Sequence, residues 1–489
     1  MKNSKNQSPY NVVAIGAGTA GLVTTAAIAG LGGKAALVEK NEMGGDCLNF
    51  GCVPSKGLIS SARLIQRIRE APKWGLNQIT PDFDFQTVFQ SMRQARATIA
   101  PNDSQERFEE LGVDVFRAEG RFRSPRELEL SSGEILKAKH FVITAGSRAG
   151  IPPIDGLEEV GYFTNETLFD QLKEKPRSLI VIGGGPIGSE LSQVFNRLGV
   201  EVHQIEMAPQ ILIREDQEVI TLLMEQFRKE GIHLHTETKP QRFFKKEGRI
   251  HLEAETGEGQ TETLVGDAVL VAAGRIPNVD KLNLEAAGVE VNRRGIVVNE
   301  KLQSSVPHIW AAGDIAGSYQ FTHTADFMAR TVVGNILKPF AFLHSKFDTS
   351  VIPWSTYTSP EVARVGLNEK EAVEKNIDYD IYRVDFQDVD RAITERETLG
   401  FTKILTEKGK DKILGATIVG ENAGDLLHEI VLAMKAKIGL GTIANTIHAY
   451  PTQAEVVRKA ADAYNRTRLT SRAASILKWL FKQQLKKVN

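Results

Sequence analysis

One pattern constrains this 489-residue chain more than any other, and the chain contains it twice. An apolar run from Asn11 to Ile15 leads into GAGTAG, then an alanine-rich helical stretch to Gly32, then a second apolar run, AALVE, ending at Glu39. The same order returns from Leu179, where SLIVIG runs into GGGPIGSE, a helical stretch continues through Leu198, and VEVHQIE closes at Glu206. Strand, glycine-rich turn, helix and strand in that order define a dinucleotide-binding unit. Two copies this far apart are separate domains, not solenoid repeats. The fold class expected is α/β: two Rossmann-like dinucleotide-binding domains, for FAD and NAD, followed by an α+β C-terminal dimerisation domain.

Each residue type in the repeated turn has a physical task. Gly16, Gly18 and Gly21 permit the tight turn, the close approach of backbone to a pyrophosphate and the packing of helix on strand, while the helix N-terminus supplies N–H donors. Glu39, at the end of the second strand, is placed to accept ribose hydroxyls. Gly183, Gly185, Gly188 and Glu206 repeat the set. A carboxylate at Glu206 repels a 2'-phosphate, and the nearest basic residue downstream is Arg214, so NADH is expected over NADPH. Two sites call for two nucleotides, a bound flavin and a diffusing nicotinamide.

Three further apolar runs end in glycine: HFVITAGSRAGIPPI breaking at Ala145 and Gly146, DAVLVAAGRIPN at 267–278, and IWAAGD at 309–314. Each is expected to end a strand near a cofactor. From about residue 347 the texture changes to PEVARVGL, GFTKILTE and KILGATIVG, with no phosphate-binding loop. The expected partition is 1–155 (FAD, first part), 156–275 (NAD), 276–346 (central, second part of the FAD domain), 347–463 (interface) and 464–489 (a basic C-terminal helix). In that last segment Leu469, Ala473, Ile476, Leu477, Leu480 and Phe481 fall near helical spacing, with Arg472, Lys478, Lys482, Lys486 and Lys487 interleaved. Docking on the protein body is the favoured reading, with peripheral membrane contact as the alternative.

Sixty Lys+Arg against 61 Asp+Glu give a formal charge of -1, which excludes a global field that would recruit nucleic acid. The polar MKNSKNQSPY start lacks a secretory core, no apolar run is long enough for a bilayer, and a cytoplasmic location is expected. The only two cysteines stand five apart in GGDCLNFGCVPSK. That is too few for a structural zinc site, no metal is expected, and a catalytic dithiol is the natural reading. Cys47 and Cys52 are expected on one side of a distorted helix start, their pKa lowered by the helix N-terminus and by Lys56.

GGDCLNFGCVPSK resembles the active-site signature of the class I pyridine nucleotide-disulfide oxidoreductases, the family of dihydrolipoamide dehydrogenase, glutathione reductase and mercuric reductase. TAGS at 144–147, GGGPIGSE at 183–190, GRIPN at 274–278, AAGD at 311–314 and HAYPTQAE at 448–455 extend the resemblance to about residue 463. It implies that Cys52 faces the flavin and Cys47 meets the substrate, that Lys56 pairs with Glu190 beside the flavin, and that Asp314 holds the ribitol. It further implies an FAD site lined by Glu39, Lys40, Gly45, Gly120, Ala145, Gly146 and Ser147, an NAD site including Gly274 and Arg275, and a homodimer.

The resemblance fails at one position. Members that reduce disulfides carry a histidine before the Pro-Thr of the C-terminal motif, paired with a glutamate five residues on. Here that position is Tyr450, with Glu455 in the glutamate position. A tyrosine, with its pKa near 10, does not shuttle protons at neutral pH as imidazole does. Mercuric reductases share this lack but carry a second cysteine pair near the C-terminus, and by resemblance a metal-capturing N-terminal domain, neither of which is expected here. The leading expectation is an NADH:acceptor reductase of a mercuric-reductase-like branch, acting on a small-molecule acceptor such as a metal ion, quinone or other electrophile. The alternatives are a disulfide or dihydrolipoamide reductase using His448 or Tyr450 with Glu455, and a membrane-attached redox sensor.

Overall fold

The computed structural model describes residues 9–317 and 319–486. The N-terminal octet and Lys487, both weighed above, lie outside the described residues. The described residues fall into two compact units, one drawn from 9–213 and 227–348, the other from 214–226 and 349–486.

In the first unit, strands Val113–Arg117, Ala35–Glu39, Tyr10–Ile15 and Ile135–Ile143 lie side by side in that order, continued by Glu127–Leu130 and Gly120–Ser124. Ile309–Ala311 also pairs with Ile135–Ile143, in parallel, so the chain returns to its first sheet after some 165 residues of intervening sequence. The central strands are buried on both faces and therefore read as continuous apolar runs without alternation. Phe122 and Phe141 pack edge to face at 5.2 Å beneath the sheet, and Trp310 is enclosed on the other side with Met328 and Val332.

The second repeat builds a four-stranded parallel sheet in the order His233–His235, Glu201–Ile205, Ser178–Ile182, Ala268–Val271. The helix Pro186–Arg197 crosses between two of these strands, with proline in its first turn, where a missing N–H costs nothing. A three-stranded antiparallel sheet, Lys239–Lys246, Arg249–Glu255 and Thr261–Gly266, is attached. All three glycine-ended strands end as expected, with Gly146, Gly274 and Gly313 at positive φ.

The second unit is a five-stranded antiparallel sheet in the order Pro353–Thr356, Glu361–Gly366, Ile413–Gly420, Phe401–Glu407, Tyr379–Asp385. The helix Glu455–Thr467 buries Val456, Val457, Ala460, Ala461 and Tyr464 in its core. Residues 214–226 belong here because Lys403, on the sheet, holds Asp216 at 2.8 Å and also contacts Glu218. In the terminal helix Ser471–Lys486, for which docking on the body was the favoured reading, none of the residues is buried in the single chain. No helix among the described residues is long and apolar enough to cross a membrane.

Candidate active site

The two cysteines occupy two helices, not one distorted start. Cys47 lies in the short helix Gly45–Asn49, the chain breaks at Phe50 and Gly51, and Cys52 opens the helix Cys52–Arg69. Glycine suits the break, because a Cβ at Gly51 would stand 3.0 Å from the Asp46 carbonyl, a tight contact. Both thiols are free. The Cys52 Sγ lies 3.6 Å from the hydroxyl of Thr322, the first residue of the helix Thr322–Ile336. Lys56 donates to the Glu190 carboxylate at 2.8 Å, and Glu190 is buried in the helix Pro186–Arg197.

This environment divides the two thiols. The Cys47 thiol donates to Cys52 and lowers the Cys52 pKa to about 6; desolvation opposes this, while the Lys56 ammonium and Thr322 assist. Cys47 is driven the other way, by donating to Cys52, by burial and by the charge on Cys52. The surroundings therefore favour the charge on Cys52 and the proton on Cys47, which suits a pair that receives electrons at one sulfur and hands them on from the other.

The two glycine-rich turns repeat each other in detail. In the first, a Cβ on Gly21 would stand 1.8 Å from the Gly16 carbonyl oxygen, so only glycine lets the helix close onto the strand. Gly188 meets the Gly183 carbonyl at 2.1 Å in the same way. Gly18 and Gly185 have open space where a side chain would be, as close approach of a pyrophosphate requires. Each acid also braces its own loop: Glu39 accepts from Ala17 N at 2.6 Å and Asn41 N at 2.7 Å, and Glu206 from Gly184 N at 2.7 Å and Ala208 N at 2.8 Å. The residues present fit two dinucleotides.

Behind the cysteines, Asp314 accepts from the Ser147 hydroxyl and lies 3.5 Å from Arg275. Burial pushes the Asp314 carboxyl up, with Ser147 and Arg275 opposing. Arg275, expected in the NAD site, has its side-chain partners among residues of the first repeat and the cysteine segment. Its guanidinium bonds Ser147 and lies 3.2 Å from Asp46, in the helix of Cys47. The reason is the pairing of Arg275–Pro277 with Ser147–Ala149, which carries the residue after Gly274 back to the first domain. Lys40 sits 4.0 Å from Glu119, beside Gly120.

His448, Tyr450 and Glu455 belong to the second unit. Tyr450 is 69% exposed and donates to Asp390 at 2.8 Å, and that hydrogen bond raises its pKa. The His448 ring sits between the Thr446 carbonyl, 3.0 Å from Nδ1, and Glu429, 2.8 Å from Nε2. Both partners are acceptors, and each ring nitrogen faces one of them. Glu455 has one carboxylate oxygen 3.6 Å from Lys459 and the other buried without a hydrogen-bond partner.

Thiol pair, ion pair and two nucleotide cradles define a pyridine-nucleotide-dependent flavoprotein oxidoreductase. The family model for pyridine nucleotide-disulphide oxidoreductases matches residues 10–329, and that for the family's dimerisation domain matches residues 352–461. A mercuric reductase from Lysinibacillus sphaericus is 33% identical over 462 residues, 94% of this chain and 84% of the relative. A dihydrolipoyl dehydrogenase from Thermus scotoductus is 34% identical over 467 residues, 94% of this chain and 98% of the relative. The solved structure of the HOCl-induced flavoprotein disulfide reductase RclA from Escherichia coli superposes with a TM-score of 0.83 at 25% identity, covering 93% and 99% of the two chains. The chain belongs to the pyridine nucleotide-disulphide oxidoreductase family, whose members use FAD and NAD(P)H.

Proposed function

We propose that this chain is an NADH-dependent reductase that passes an electron pair through the Cys47/Cys52 dithiol to a small acceptor such as a metal ion or quinone. The observation that carries this reading is Tyr450: its hydroxyl is tied to Asp390, its pKa is raised, and it is a poor source of protons for a departing thiolate. FAD, when bound by the first glycine turn, Glu39, Gly45, Gly146 and Asp314, supplies two-electron chemistry between the nicotinamide and the cysteines. The chain's own residues do the rest. Cys52 is held as a thiolate by Cys47, Lys56 and Thr322. Glu190 holds the Lys56 ammonium in place at 2.8 Å. Cys47, which retains its proton, is the sulfur that meets the acceptor. Glu206 excludes a 2'-phosphate.

A panel of acceptors tests this. Turnover with Hg(II), Cu(II) or a quinone is expected to exceed turnover with lipoamide or glutathione disulfide. NADH is expected to be preferred over NADPH by about 100-fold, the equivalent of roughly 2.7 kcal/mol of like-charge repulsion at Glu206. Robust lipoamide turnover that His448→Ala abolishes would overturn the reading in favour of a dihydrolipoamide reductase.

A homodimer is also proposed. The matched dimerisation domain supports it, as does Ile447, 98% exposed beside Tyr450 in the single chain. An active monomer in sedimentation equilibrium would remove it.

The helix Ser471–Lys486 is proposed to rest on an anionic membrane surface. From residue 463 onward the sequence holds seven basic residues and no acid, and Leu477, Leu480 and Phe481 are exposed on a face apart from Lys478, Lys482 and Lys486. Full-length protein should float with vesicles containing phosphatidylglycerol and stay down with pure phosphatidylcholine. At about 1 kcal/mol per lysine, changing the three lysines to glutamine should weaken binding roughly 100-fold. Equal flotation of Phe481→Glu and wild type would disprove insertion of the apolar face.

A further inference from the structure

Away from both nucleotide cradles, the outer edge of the second parallel sheet carries a cluster of histidines that the proposed redox chemistry does not use. Strands Glu201–Ile205 and His233–His235 pair in parallel with His203 opposite His233 and Ile205 opposite His235. Side chains alternate along a strand, so Glu201, His203, His233 and His235 all project from one face. The His203 and His233 rings stack at 4.7 Å with 15° between their planes. The Glu201 carboxylate oxygen lies 3.6 Å from His203 Nε2 and 3.7 Å from His233 Nε2. The three ligand atoms are all within 4.8 Å of one another.

A chain of hydrogen bonds behind these atoms sets their protonation. Glu262, from the neighbouring antiparallel sheet, lies 2.9 Å from His235 Nδ1, and a carboxylate only accepts, so His235 carries its proton there. His235 Nε2 is then a lone pair, 3.2 Å from His203 Nδ1, which must donate to it. That leaves His203 Nε2 as a bare lone pair facing the Glu201 oxygen. Two acceptors directed at each other across 3.6 Å, with a second imidazole on the flank, form a site that lacks only a cation.

We propose that Glu201, His203 and His233 bind a divalent transition-metal ion of the zinc, nickel or copper class, with Glu262 and His235 as positioning residues that fix the tautomer and orientation of His203. A tetrahedral ion with bonds of 2.0–2.1 Å separates its ligand atoms by about 3.4 Å, so two of the distances need close by only a few tenths of an ångström. Imidazole nitrogens select these ions over magnesium and calcium. The carboxylate–histidine–histidine relay matches the outer-shell arrangement that orients metal-bound imidazoles elsewhere. Glu201 and His233 are more than half exposed, which leaves room for water to complete the coordination. A bound ion would clip the three-residue edge strand to its neighbour.

Isothermal titration of the oxidised holoenzyme with Zn(II), whose closed cysteine pair cannot compete, tests the proposal. One equivalent per chain is expected to bind, and binding should weaken as pH falls and protons compete for the imidazoles. His203→Ala should remove it and the surface change Glu201→Gln should weaken it, whereas His428→Ala should have no effect. Glu262→Gln should weaken binding roughly 10-fold or more without removing a ligand. Absence of saturable binding, or binding unchanged in both His203→Ala and Glu201→Gln, would overturn the proposal. Flavin absorbance of each variant reports folding independently, and acceptor turnover without zinc keeps the result separate from the redox reading above.

Discussion

Cys52→Ser is expected to retain flavin and to lose turnover with every acceptor by at least about 10³-fold, because the residue acts as a thiolate and a serine hydroxyl does not ionise in its place. Its pKa is lowered to about 6 by the Cys47 thiol, so that Cys52 is mostly ionised at pH 7, unlike an unperturbed thiol. The sign follows from the direction of the shift. The thiolate is present above pH 6 and lost as pH falls through that value. Mass-mapped alkylation of Cys52 in the dithiol enzyme should therefore rise with pH around an inflection near 6. An inflection near 9 would remove the thiolate assignment, and full acceptor turnover in Cys52→Ser would remove the dithiol from the path. Thr322→Val, which deletes a supporting hydroxyl, should move the inflection upward and leave the rest of the profile intact.

Those features were unequally legible in the sequence. The two glycine turns and their acids could be read directly, because a backbone that must approach a phosphate and a helix that must close onto a strand demand glycine at fixed offsets. Local spacing carries that information. Thr322 could not be read this way: it meets Cys52 from 270 residues away, and a lone threonine at a helix start has no signature. Arg275 was legible as part of a motif, but its partners Ser147 and Asp46 were not, since the strand pairing that brings it to Ser147 is a tertiary event. The break between the two cysteine helices falls at Gly51, which can be seen in the sequence, but its close approach to the Asp46 carbonyl cannot. The histidine cluster escaped notice for the same reason. Its members are some thirty residues apart, and only the register of two parallel strands brings them face to face.

The second unit offers the largest expected effect on stability. Lys403 lies on the strand Phe401–Glu407 with 1% of its side chain exposed, 2.8 Å from Asp216 and 2.6 Å from Glu369, and in contact with Glu218. Burial works against its charge, yet the three carboxylates prevail and push its pKa up. Taken alone, such a buried cluster is weak evidence for stability, because desolvating four charges costs about what their attraction returns. Removing one partner is a different matter. In Lys403→Met, Glu218 and Glu369 are each more than 30% exposed and can turn to water, but Asp216, at 7%, cannot. Among the described residues it would keep the backbone N–H groups of Glu369 and Lys370, at 3.3 and 3.1 Å. The substitution is therefore expected to destabilise this unit by about 3–5 kcal/mol, the usual cost of stranding a buried charge. Calorimetry should show it as an earlier transition of the second unit, with segment 214–226 becoming sensitive to protease. Lys408→Met, which removes an exposed pair with Asp380, should leave the transition where it was. Adding Asp216→Asn to Lys403→Met should restore part of the loss, since the stranded charge is then gone. A double variant no more stable than Lys403→Met alone would show that the methylenes of Lys403, packed in the sheet, matter more than its charge.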